Sequence, residues 1–186
     1  MTPHPLAVRL VEHLRESPAA RVLEFACGRG RNTEALREAG LTVVTVDDRT
    51  AASATPLQDV AGPFAAALST HGLLHGTPAK IGTVVSRIGA LLAKGAPLYA
   101  TFGSVRDARF GRGERLEEFV YAPETGDERG VAHAYFDRAR LATMLGAHFT
   151  VLSLEERAVD EIAGRWAHSG QTLSGAVHWF LVATAK

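Results

Sequence analysis

The residues with the clearest chemical capacity lie in the first quarter of the chain. Glu24 sits inside an apolar run, Val22-Leu23-Glu24-Phe25-Ala26. It is followed by Cys27, Gly28, Arg29, Gly30, Arg31 and Asn32, and then by Asp47 and Asp48 at the end of a second apolar run. Two glycines at this spacing let the backbone turn sharply and come close to a ligand, and a helix starting after them presents unpaired amide groups. Asn32 reads as the N-cap of that helix. Asp47 stands about twenty residues after the loop, where a carboxylate can accept hydrogen bonds from both hydroxyls of a ribose. A second group is built on histidine: His71 and His75, four residues apart, and His133 with Tyr135 further on. These rings titrate near neutrality and can remove a proton or contact a substrate. On one helix His71 and His75 would share a face and suggest a metal pair. Gly72 and Gly76 interrupt any such helix and the sequence places no third ligand nearby, so no metal site is expected.

The elements that must hold these groups follow from periodicity. Val22 to Ala26 reads as a buried strand, Cys27 to Arg31 as a glycine loop, about Thr33 to Ala39 as a helix, and Leu41 to Val46 as a second strand. That is half of a nucleotide-binding α/β unit. A dinucleotide fingerprint wants glycine or alanine where this chain has Thr33, and no Tyr-x-x-x-Lys pair is recognisable, which disfavours a nicotinamide-dependent oxidoreductase.

With Glu24 inside the strand, the stretch Glu-Phe-Ala-Cys-Gly-x-Gly resembles motif I of the class I S-adenosylmethionine-dependent methyltransferases. The resemblance runs from about Arg21 to Lys186 in element order, and the compact size is similar to small-molecule members. It implies S-adenosylmethionine as cofactor and methyl transfer to a small-molecule acceptor. It also implies a cofactor site at Glu24, Ala26, Cys27, Gly28, Gly30, Asn32, Asp47, Asp48, Ser69 and Thr70. Cys27 is read there as structural, not nucleophilic. The implied fold is α/β and Rossmann-like, a mostly parallel sheet ending in an antiparallel hairpin. One departure stands out. Only sixteen residues, 48–63, separate Asp47 from Phe64, where the family places a helix and a third strand. A crossover needs about a dozen residues for its helix alone, so both elements are expected to be missing or vestigial. The exposed edge would then suit the N-terminal helix or a second copy of the chain, a homodimer. Gln58 and Asp59 are the polar residues there that could meet adenine. The loss also motivates an alternative, a non-catalytic S-adenosylmethionine-binding or scaffold protein on a degenerate fold.

The rest of the chain supplies the other walls. Leu6, Leu10, Val11 and Leu14 mark an amphipathic N-terminal helix, Phe64 to Ser69 a strand, Thr77-Pro78 the start of a helix carrying Ile81 to Leu92, and Pro97 to Phe102 another strand. Residues 105–134 are charged and broken by glycines, and read as a substrate cover inside one domain spanning 1–186. Asp137 caps a helix ending near Gly146, and Phe149 to Leu154 with Val177 to Ala183 form the closing hairpin. At the ligand-bearing edge His75 and His133 are the candidate proton acceptors. His71, Phe102, Tyr135 and Trp166 are the candidate substrate contacts, with Trp166, His168 and Trp179 as an aromatic wall. Twenty basic and twenty acidic residues cancel, which leaves no electrostatic footprint for nucleic acid or an anionic membrane. The single cysteine excludes an internal disulfide, and a cytoplasmic location is expected.

Overall fold

The computed structural model describes residues 2–47, 57–126, 128–159 and 175–186. The elements in chain order are α1 (Pro5–His13), β1 (Arg21–Phe25), α2 (Arg31–Glu38), β2 (Thr42–Val46), β3 (Ala66–Ser69), α3 (Pro78–Leu91) and β4 (Pro97–Ser104). They continue with β5 (Glu114–Glu117), β6 (Val120–Ala122), β7 (His133–Phe136), α4 (Arg138–Gly146), β8 (Phe149–Ala158) and β9 (Val177–Ala185). Strands β2, β1, β3 and β4 are parallel neighbours in that order, and β9 then runs antiparallel between β4 and β8. This is the parallel sheet with a closing hairpin that the sequence implies.

Burial follows position in the sheet. All eight residues of β4 are buried, whereas every residue of β2 is exposed or half-buried. Among the described residues no strand lies outside β2, and residues 57–65 contain no helix. Residues 48–56, including Asp48, lie outside the described residues.

Alternating side chains feed two cores, one on each face. Leu23, Ala67, Leu98, Phe102 and Leu181 pack with Ile81, Val85 and Ile88 of α3 and Leu141 and Leu145 of α4. Val22, Leu68, Tyr99 and Phe180 pack on the other face with Leu6 and Leu10 of α1 and Leu36 of α2. The caps at Thr77 and Asp137 form as expected, accepting from the amides of Lys80 and Arg140. Helix α2 corrects the sequence reading. It begins at Arg31 with Gly30, in the left-handed region at φ 78°, as its N-cap, because the Asn32 side chain is engaged elsewhere.

The charged segment after β4 is more regular than its composition suggests. β5, β6 and β7 form antiparallel pairs, and β7 then joins β4 in parallel through Gly103↔Tyr135 and Ser104↔Phe136. β9 occupies the other edge of β4 up to Gly103, so β7 takes the edge that β3 leaves free beyond Ala100. A Cβ at Gly103 would stand 2.6 Å from the Ala134 carbonyl oxygen. Glycine is what lets β7 come in over the end of β3.

Trp179 is buried, and its indole N–H donates to the Phe136 carbonyl at 2.8 Å, locking the hairpin to β7. Trp179→Phe removes this donor, while the Phe136 carbonyl keeps its bond from the Val105 amide at 3.2 Å. The expected loss is about 0.5–1.5 kcal/mol in unfolding free energy, read from urea midpoints.

Candidate functional site

The glycine loop leaves β1 through a left-handed residue, Ala26 at φ 59°, whose amide donates to the Val46 carbonyl of β2. Gly28 at φ 52° has nothing within 4 Å of the place a Cβ would take, so a ligand can lie along this backbone. No side chain caps α2, whose first amides are directed at the same loop. Asp47 follows directly after the Phe25↔Val46 pair and so stands beside the loop, half-buried. Burial, with the Glu24 and Asp47 carboxylates nearby, pushes the Cys27 thiol up. A thiol so placed is a poor nucleophile, in keeping with its structural reading.

Glu24 is 1% exposed in the middle of the sheet. One carboxylate oxygen accepts from the Thr33 hydroxyl; the other, Oε1, has no hydrogen-bond partner. Burial raises its pKa, while Thr33, Asn32 and the guanidinium groups of Arg37 and Arg31 pull it back. Ser69, at the end of β3, is likewise buried with its hydroxyl unpartnered. Asn32 ties the neighbouring elements together: its Oδ1 accepts from the His4 amide at 2.9 Å and its Nδ2 donates to Thr70 Oγ1 at 2.9 Å. A Cβ on Gly72 would fall 2.2 Å from Ala26 Cβ, so the loop after β3 packs directly on the glycine loop. Glu24, Ala26, Cys27, Gly28, Gly30, Asn32, Asp47, Ser69 and Thr70 are therefore gathered along the carboxyl ends of β1, β2 and β3.

The histidines divide into two groups. His71 is held at φ 64° by its amide bonding to Thr101 Oγ1 at 2.8 Å. Its ring lies 5.2 Å from that of His4 and 5.1 Å from that of His178. His178 Nε2 stands 3.8 Å from a carboxylate oxygen of buried Asp107. Desolvation lowers all three rings, His4 to about 3, His178 to about 4 and His71 well below the usual value. His4 and Asp107 were missed in the sequence, because only the folded chain brings residue 4 to the loop.

His75 and His133 form the second group, linked by a bridge between their backbones and with rings 4.9 Å apart. Glu128 lies between them, 3.4 Å from His75 Nε2 and 3.1 Å from His133 Nε2. The absence of a third donor near His75, inferred from sequence distance, is thus overturned by the fold. The Glu128 carboxyl is held far below the usual carboxylate range by these two rings, against the opposing effect of burial.

Two substrate candidates change character. Phe102 is 0% exposed and packs edge-on against Phe136, so its ring serves the core and does not face a cleft. Tyr135 is 5% exposed, packs edge-on and tilted in a cluster with Phe110 and Tyr121, and burial pushes its hydroxyl up to about 12. Trp166 and His168 lie outside the described residues.

This architecture is the fold of the class I S-adenosylmethionine-dependent methyltransferases. No protein-family model matches the chain, and no curated protein matches it in sequence. Solved structures do. The Burkholderia thailandensis 1,6-didemethyltoxoflavin N1-methyltransferase, with 1,6-didemethyltoxoflavin and S-adenosylhomocysteine bound, superposes at a TM-score of 0.67 and 25% identity, covering 97% of this chain and 76% of that one. An S-adenosylmethionine-dependent methyltransferase from Methanosarcina mazei gives a TM-score of 0.72 at 16% identity, covering 99% and 98%. Synechocystis magnesium protoporphyrin IX methyltransferase with S-adenosylmethionine bound gives 0.61 at 14%, covering 97% and 78%.

The neutral burial of His4 has a measurable consequence. The native state excludes a proton that the unfolded chain accepts below about pH 6.5, so this stability is whole above that pH and is lost progressively as pH falls toward the native value of about 3. Between pH 6.5 and 5 each such ring contributes a slope of up to about 1.4 kcal/mol per pH unit. His4→Gln should flatten the wild-type slope by about one proton, measured as urea midpoints at several pH values. An unchanged slope would mean that His4 titrates alike in both states.

Proposed function

We propose that the protein binds S-adenosylmethionine along the glycine loop and transfers its methyl group to a small-molecule acceptor. The observation that carries this reading is Glu24: a buried carboxylate beside the loop with one oxygen left without a partner. The ammonium of the cofactor's methionine part is a fitting donor for that oxygen. Asp47 suits the ribose hydroxyls, and the open side of Gly28 admits the chain between them. The 25% identical neighbour, crystallised with S-adenosylhomocysteine and an N-methylation substrate, supports both the cofactor and the acceptor class.

Methyl transfer from a sulfonium is an in-line displacement, and the bound cofactor supplies the electrophilic carbon. The protein's task is to hold the acceptor in line and to keep water away, which supplies much of the barrier reduction without a protein nucleophile. The acceptor lies over the carboxyl end of β3, bounded by His71 and by β7 with its preceding cover, residues 105–134. Where the acceptor carries a proton that must leave, the cluster at His75 and His133 is the group placed to receive it. Single-domain organisation and a cytoplasmic setting complete the reading, and the edge of β2, beyond which no strand lies among the described residues, suits a homodimer. Among the described residues no helix is long and apolar enough to cross a membrane.

Calorimetric titration with S-adenosylmethionine, S-adenosylhomocysteine and NAD tests the proposal. Both adenosyl sulfur compounds should bind and NAD should not. Asp47→Ala should weaken them by about 1–3 kcal/mol through loss of the charge-assisted ribose contact. Failure of both compounds to bind the folded protein would refute the cofactor assignment, and unchanged affinity in the variant would remove Asp47 from the site.

A further inference from the structure

The trio His75, Glu128 and His133 gathers two imidazoles and a carboxylate, three metal-type donors, at one place. His133 Nδ1 lies 2.8 Å from the Val131 carbonyl oxygen. A carbonyl can only accept, so Nδ1 carries the hydrogen and the lone pair of the neutral ring is on Nε2. That lone pair faces a Glu128 oxygen at 3.1 Å, and His75 Nε2 faces the other oxygen at 3.4 Å. A ring proton or a bound cation satisfies contacts of this length. The Nδ1–H to carbonyl bond is also the usual way in which a protein orients an imidazole whose Nε2 binds a metal.

The spacing fits a metal as well. Donor atoms of all three residues lie within 4.8 Å of one another. With zinc bonds of roughly 2.0–2.2 Å in a tetrahedron, neighbouring donors stand about 3.3–3.6 Å apart, close to the contacts of 3.1 and 3.4 Å that the two rings make to the two Glu128 oxygens. The backbone holds the donors in register. Gly76 N donates to the Ala132 carbonyl at 2.7 Å and Ala134 N to the Leu74 carbonyl at 2.8 Å, so the His75 loop and the start of β7 are stitched on both sides of the bridged pair. His133 is buried, while the His75 and Glu128 side chains remain 29% and 19% exposed, leaving a face through which an ion enters. Arg109 approaches Glu128 at 3.9 Å, but its closer partner is Asp107 at 3.2 Å.

The geometry points to a divalent transition-metal site, of zinc type, formed by His75 Nε2, His133 Nε2 and the Glu128 carboxylate. Two imidazoles and one carboxylate favour zinc and its neighbours over magnesium, which prefers an all-oxygen shell. Three protein donors leave a coordination position open for a ligand. Metal binding stands independently of methyl transfer. Its use, as a Lewis acid for an oxygen or nitrogen of the acceptor, rests on the methyltransferase reading.

The test titrates chelator-treated full-length protein with zinc chloride by calorimetry. One zinc per chain is expected at micromolar affinity or tighter, undiminished by millimolar magnesium chloride. His75→Ala and Glu128→Gln should each weaken binding at least tenfold, with circular dichroism confirming the fold; Glu118→Gln, an exposed acid paired with Arg140, should not. Cobalt(II) added to the wild-type protein should give the visible absorption of a low-coordinate nitrogen and oxygen site, bleached by zinc. Absence of stoichiometric zinc binding, equal affinity in the His75 and Glu128 variants, or a cobalt spectrum no different from the aqueous ion would each overturn the site. Because the readout is metal binding, its failure is separate from any failure to bind S-adenosylhomocysteine.

Discussion

A carboxylate buried at the centre of the sheet is the constraint around which the amino-terminal half is arranged. Glu24 is buried on β1, flanked by Leu23 and Phe25 of the core and followed by the glycine loop. Burying such a group with one oxygen unpartnered is costly, and proteins retain it where a ligand completes the pairing. Thr33 explains itself in this light. It stands where a dinucleotide fold keeps a small residue, and uses its hydroxyl to hold the other oxygen of Glu24.

Around that centre the chain brings remote pieces to one edge. Asn32 links the N-terminal residue His4 to Thr70 after β3, so α1, α2 and the β3 loop are fixed to one another by a single side chain. On the far side, the glycine at 103 admits β7 against the end of β4, carrying His133 to His75. The segment between β4 and β7 is thereby part of the sheet edge. Its aromatic cluster of Phe110, Tyr121 and Tyr135 gives it a packed interior of its own.

The fold was legible because its signals are local. Apolar runs bounded by glycine gave β1, β2 and β3, and hydroxyl and carboxylate caps gave α3 and α4. The glycine loop with Asp47 was legible for the same reason. What escaped was set by contacts across the sequence. Asn32 looked like a cap but is spent on His4 and Thr70, and Phe102 looked like a pocket residue but faces α3 and α4 in the core. The joining of Glu128 to two histidines depends on how far β7 travels back along β4, which no spacing rule conveys.

Thermal unfolding of the wild type and Glu24→Gln, with and without S-adenosylhomocysteine, separates a Glu24 held for a ligand from one held for the fold. Without ligand the variant should melt at or above the wild-type midpoint, since it removes a buried charge. At a hundredfold excess over the dissociation constant, the wild type should rise by about 5–10 °C and the variant by much less. A variant that melts several degrees lower alone, yet gains the full shift with S-adenosylhomocysteine, would show Glu24 to be a structural residue and contradict the account.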